Sequence, residues 1–180
     1  NKIATTSQAV TFATGDSVKS ITFGFSNLTN LNLWSAEYPY LYTVVIRQMN
    51  DQNNEESVFS TKYGFRNILR SNQLVYVNGK QTYFKGVNTQ DTHPLYGRSI
   101  DVPTMLKDIT MMKQANMNII RTSHYPRQPK MYAMFDYYGL YIMDEADVEC
   151  HKNWSDGASM TNDSTWIPQY VDRTVRMVLR

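Results

Sequence analysis

The chain has 180 residues, 42% hydrophobic and 13% aromatic, which is enough for a packed core and for one large domain or two small ones. That composition excludes a disordered chain. The net charge of +2, with 18 Lys/Arg and 16 Asp/Glu scattered along the sequence, gives no electrostatic case for binding nucleic acid or an anionic membrane. No apolar run nears the roughly 18 residues of a membrane span, and no signal peptide opens the sequence. Cys150 is the sole cysteine, so no disulfide forms within the chain; this suits a cytoplasmic protein and leaves the periplasm open. The sequence begins at Asn1 rather than Met and closes at Arg180 inside a helical pattern, which reads as a piece of a longer protein.

From the start to about residue 66, short runs alternate polar and apolar residues: AVTFAT (9–14), SITFGF (20–25) and LYTVVIRQM (41–49). Polar clusters such as NDQNNEES separate them. This spacing predicts antiparallel strands of an immunoglobulin-like β-sandwich over residues 1–66, partial because a full sandwich needs about 100 residues. Residues 74–86, LVYVNGKQTYFKG, predict a hairpin, with Asn78-Gly79 suited to a type I′ turn.

From Gly86 the pattern changes. GVNTQD leads into a helical stretch at 101–117, with Asp101 as N-cap, Pro103 in the first turn, and Val102, Met105, Leu106, Ile109 and Met112 on one face. NIIRTSHY follows as a strand, then the helix QPKMYAMFDYYG, which Gly139 stops. LYIMDEADVE is a third strand. It runs into a polar loop with Asn153, Ser155, Asp156 and Gly157, and then a helix in which Val171, Val175, Met177 and Val178 have helical spacing. Three alternating strand–helix units over 67–180 predict a parallel sheet. No glycine-rich phosphate loop accompanies it, so a nucleotide fold finds little support.

Sites in parallel α/β folds form at the carboxyl ends of strands. Here those ends are 88–91, 121–124 and 144–151, and all three carry polar or charged residues. His124 reads equally well as a hydrogen-bonded structural histidine; Asp144 and Glu145 both read as capping or salt-bridge residues, and for Asp144 alone that reading is the better one. Glu149 and His151, two apart, point the same way on extended backbone and could share a metal. Mg²⁺ prefers oxygen ligands, and Zn²⁺ would want another His or Cys. Cys150 points away and reads as a small packed residue. The Tyr- and Met-rich stripe at 131–138 reads as core.

In order, LWSAEYPYLY, YGFR, VNGKQTYFKGVN, RTSHYP and DYYGLYIMDEADVECH resemble a β-galactosidase of glycoside hydrolase family 2, strongly from Leu33 onward. The resemblance implies the end of an immunoglobulin-like domain, then the first three βα units of a (β/α)8 barrel. It implies that Arg121 and His124 line the sugar pocket, with Asn88, Gln90 and Asp91 beside them, and that Glu149 and His151 are two ligands of an active-site Mg²⁺. The Glu-x-His pair favours β-galactosidases over the family's β-glucuronidases and β-mannosidases. The segment at 88–91 departs from the usual Asn-Arg-His-Glu: Thr89 and Gln90 replace Arg and His. A glutamine donates a hydrogen bond but cannot become cationic, which leaves strict selectivity for galactose open.

Retaining glycosidases need two carboxylates about 5–5.5 Å apart. The resemblance places both catalytic glutamates beyond Arg180, so the 180-residue chain is expected to be inactive alone and to bind Mg²⁺ weakly or not at all. Glu145 and Glu149, roughly 13 Å apart along an extended run at about 3.3 Å per residue, are too distant to serve. The alternatives are a sister hydrolase for a β-glucuronide or β-mannoside and a non-catalytic module that binds glycans or complements a partner. The open barrel edge predicts self-association or a homo-oligomer. The resemblance leaves cytoplasm and periplasm both open.

Overall fold

In the computed structural model, residues 2–151 and 160–179 are described. The predicted polar loop with Asn153, Ser155, Asp156 and Gly157 lies outside them. The chain divides into two compact units, Asn1–Asn32 and Leu33–Arg180.

The first unit corrects the sequence reading. Neither 9–14 nor 20–25 forms a strand; the regular feature is a tight turn in which Ala13 and Asp16 bond each other around Gly15. Phe12, Phe23 and Phe25 stay exposed. Alternation marks a backbone fit for a half-buried sheet, but a strand exists only once a ladder partner takes up its N–H and C=O groups. No such partner is present among the described residues of this unit.

The second unit opens with a hairpin of β1 (Tyr42–Met49) and β2 (Glu55–Tyr63), antiparallel with Tyr42 opposite Tyr63. The polar cluster read as loop is shorter than expected: Glu55 and Glu56 already belong to β2, where they meet Arg47 and Gln48 across the ladder. A small meander follows, β3 (Ile68–Ser71), β4 (Leu74–Val77) and β5 (Lys80–Gln81). Asn78 and Gly79 both have positive φ at the expected hairpin turn. Asn72 and Gln73 do the same between β3 and β4, a turn without the Asn-Gly signal.

The parallel sheet has the order β6 (Gly86–Asn88), β7 (Ile119–Arg121), β8 (Tyr141–Met143), its strands joined by α1 (Val102–Gln114) and α2 (Pro129–Tyr138) and followed by α3 (Ile167–Val178). Among the described residues the outer edges of β6 and β8 are unpaired. Asp101 caps α1, accepting from the Thr104 amide at 3.0 Å. Gly139, at φ 78°, ends α2. Helix α1 is shorter than predicted, stopping at Gln114. Met105, Ile109 and Met112 are buried, whereas Val102 and Leu106 remain exposed at the margin of that face. The apolar face of α3, with Val171, Val175 and Val178, is exposed.

Ile109, Ile120, Phe135 and Leu140 form the core between sheet and helices, with Met105, Met112 and Met131 around them. Each fully buried side chain of this kind contributes about 1.5–3 kcal/mol. Asn118, buried just before β7, sets the strand register. Its side chain accepts from the Lys85 amide and donates to the Tyr83 carbonyl, both at 2.8 Å. At the other side, Trp34 is buried; its indole N–H donates to the Asp136 carbonyl at 2.8 Å. Lys113 reaches the carbonyls of Ala36 and Gly139, each at 3.0 Å. Residues 33–40 thus form a strap across the ends of α1 and α2.

Candidate functional site

Parallel pairing puts Asn88 level with Arg121, and Arg121 level with Met143. The polar residues that follow each strand are therefore delivered to one end of the sheet. Arg121 is the hub. Its Nη1 donates to Asn88 Oδ1 at 3.3 Å, its Nε to Glu145 Oε1, and its Nη2 lies 3.5 Å from His124 Nδ1. His124 Nδ1 lies 2.9 Å from Glu145 Oε2. Because that oxygen belongs to a carboxylate, Nδ1 carries the proton of this contact.

Glu145 is held in place from behind. Its amide donates to Thr122 Oγ1 at 3.0 Å, and the Thr122 hydroxyl donates to Asp144 at 2.8 Å. Tyr132 from α2 also donates to Asp144. Asp144 is thus a buttress between β7, β8 and α2, not a helix cap.

Gln90, Asp91, His124 and Glu149 line one groove, together with Arg98, Tyr125 and Asp147. Asp91 is turned inward: its carboxylate lies 3.3 Å from Arg127 Nε, and its amide donates to the Tyr125 hydroxyl at 2.9 Å. Burial pushes the Asp91 carboxyl up, against the opposing charges of Arg127 and Arg98. Glu149 and His151 are in direct contact with each other through Oε1 and Nδ1. Among the described residues no group of three His, Cys, Asp or Glu forms a metal cluster.

Arg98 and Arg127 were not singled out in the sequence, and Glu145 was read only as a capping or salt-bridge residue and as half of a rejected catalytic pair; the structure makes it a salt-bridge residue. The strand register would have found Glu145, two residues past a position level with Arg121. Nothing periodic marks the other two.

Burial alone would raise the Glu145 carboxyl, but the hydrogen bonds and charges of His124 and Arg121 hold it below the ordinary carboxylate range. A carboxyl held low when folded adds stability that is complete above its unfolded value of about 4.3 and is lost as pH falls through its lowered folded value. Glu145→Gln removes that titration. Urea unfolding between pH 7 and pH 3 is expected to show a shallower acid loss for the variant than for the native sequence; equal slopes would contradict the cluster.

A short parallel sheet with strand-following helices, and charged hydrogen-bonding groups gathered at its carboxyl edge, is the arrangement of a barrel-type α/β protein. The family model "Glycosyl hydrolases family 2, TIM barrel domain" matches residues 69–180, and "Glycosyl hydrolases family 2" matches residues 1–66. The chain belongs to glycoside hydrolase family 2. It is multi-domain, a partial β-sandwich part followed by the first βα units of the barrel.

Among solved structures it is similar to Bifidobacterium dentium β-glucuronidase complexed with coumarin-3-O-glucuronide, at 31% identity and TM-score 0.61 over 63% of this chain and 18% of that one. It is also similar to a Ruminococcus gnavus β-glucuronidase in complex with D-glucuronic acid, at 30% identity and TM-score 0.62, covering 66% of this chain and 20% of that one. The β-D-glucuronidase of Dictyoglomus thermophilum matches at 28% identity and TM-score 0.62, with the same coverage. The chain spans about a fifth of the length of these structures.

Proposed function

We propose that this chain is part of a retaining β-galactosidase that hydrolyses terminal non-reducing β-D-galactosides. The observation that carries the reading is the meeting of Asn88, Arg121, His124 and Glu145 at the carboxyl ends of adjacent parallel strands. A sugar presents hydroxyls in fixed directions, and fixed, charge-assisted donors and acceptors recognise them. Arg121 supplies donors. His124, with its Nδ1 proton committed to Glu145, leaves Nε2 for a sugar hydroxyl. Gln90 adds an amide at the groove wall.

Glu145 is not the general acid on this reading. A general acid needs a raised pKa, whereas Glu145 is held ionised between Arg121 and His124. The nucleophile and the acid/base come from elsewhere in the full-length protein. Glu149 and His151 would hold a Mg²⁺ there, and the bound ion would supply a fixed positive charge at the groove.

The Glu149-Cys150-His151 sequence supports the galactoside. A second reading, a β-glucuronide hydrolase, is favoured by Gln90 and by the names of the solved structures above. Hydrolysis of aryl β-galactoside, β-glucuronide and β-mannoside by the full-length protein separates the two, with the 180-residue chain as control. The expected result is turnover of the galactoside by the full-length protein alone. Preference for the glucuronide would replace the substrate and keep the hydrolase. Turnover by the 180-residue chain would overturn the placement of the catalytic carboxylates.

A further inference from the structure

Behind the groove lies an arginine that does not line it. The Arg127 side chain is 0% exposed. A buried guanidinium persists only where its donors and its charge are answered. The Nη atoms of Arg127 are answered by two loops, while its Nε lies beside the Asp91 carboxylate without a hydrogen bond. From the loop after β6, it donates to the Thr89 carbonyl and, at 3.2 Å, to the Thr89 hydroxyl, and the Asp91 carboxylate supplies the counter-charge. From the loop after β7, it donates to the Tyr125 carbonyl at 3.1 Å and the Ser123 carbonyl at 3.3 Å, and its guanidinium lies 4.5 Å from the centre of the Tyr125 ring.

The pattern of these partners is informative. Thr89 and Asp91 flank Gln90, and Ser123 and Tyr125 flank His124. Each groove residue is gripped on both sides while its own side chain is left to face the groove. The Asp91 amide, bonded to the Tyr125 hydroxyl, closes the ring between the loops.

We propose that Arg127 is a positioning residue which fixes Gln90 and His124 relative to each other through their four neighbours. The inference rests on the glycosidase reading for its kinetic readout, but not for its structural one. The rigid, planar fork of arginine reaches several oxygens at once; lysine, a point charge with three donors, cannot span both loops.

The test uses the full-length protein carrying Arg127→Lys, with Phe135→Leu as a control that loosens the core away from the groove. Arg127→Lys is expected to lower kcat/KM on the preferred aryl glycoside about 100-fold or more, the effect of a displacement near 1 Å. Phe135→Leu is expected to lower the melting temperature with kcat/KM little changed. The crystal structure of Arg127→Lys is expected to show Gln90 and His124 moved apart with β6, β7 and α2 unmoved. Unmoved Gln90 and His124 would overturn the proposal, as would kinetics that follow melting temperature alike in both variants. If the native protein hydrolyses no glycoside, the functional reading fails and the crystal structure alone decides the clamp.

Discussion

Arg121→Ala in the full-length protein is expected to lower kcat/KM for its preferred glycoside by about 10²–10³-fold while leaving the fold in place. The side chain bonds Glu145 and Asn88 and lies beside His124, so one truncation frees three groups at once. A displacement near 1 Å costs on the order of 10²-fold. Loss of a charged donor to a sugar oxygen, worth about 1.5–3 kcal/mol, adds about tenfold or more. Stability should change little. The side chains of the Arg121–Glu145 pair are 35% and 23% exposed, so water can reclaim the freed carboxylate. Arg121→Lys should recover little, because it keeps the charge and loses the fork. Steady-state kinetics with thermal unfolding in parallel would check this. A loss below about tenfold would remove Arg121 from the centre of the site.

Gly86→Ala is expected to have the largest effect on stability. The added Cβ would stand 1.9 Å from the Ile119 carbonyl oxygen and 2.6 Å from its Cγ2. The first obstacle is backbone in the neighbouring strand, so no rotamer change relieves it. Strand β6 must draw away from β7, and the loop carrying Gln90 moves with it. Overpacking a core costs about 1–3 kcal/mol and occasionally more; a clash with a paired backbone belongs at the upper end, more than about 3 kcal/mol. Against a typical total of about 5–15 kcal/mol, that is a large share. Gly24→Ala is the matched control, since nothing lies within 4 Å of its added Cβ. Urea unfolding of both variants should separate them clearly; similar midpoints would mean that the close approach at Gly86 is not needed.

Local chemistry was readable from the residues. Asp101, Asn78-Gly79 and Gly139 each act through bonds or dihedrals within a few positions, and each does what its type predicts. Arg121, His124 and Glu149 could be nominated because they stand at or just past strand ends, and their roles were assigned by the family resemblance. What escaped depends on distant partners. Alternation at 9–14 and 20–25 is a property of the segment, whereas a ladder is a property of two segments. Glu145 joins the cluster through the pairing of β8 with β7, and Arg127 matters because it sits where two loops come together. An arginine in a loop carries no periodic signature of that.

The strap at 33–40 has a consequence for the time at which the protein can take shape. Trp34 bonds a residue 102 positions later, and the Ala36 amide bonds the Tyr141 hydroxyl 105 positions later. A ribosome adding about 5–20 residues per second needs roughly 5–20 s to make that distance. The β1–β2 hairpin, whose partners are local, closes in about 1–10 μs. During translation, then, the tryptophan has only its near neighbours, Gly64, Phe65 and Arg66, for several seconds before its partners on α2 and β8 are made. The hairpin end is therefore assembled first, and the strap is the clasp that the barrel units close last.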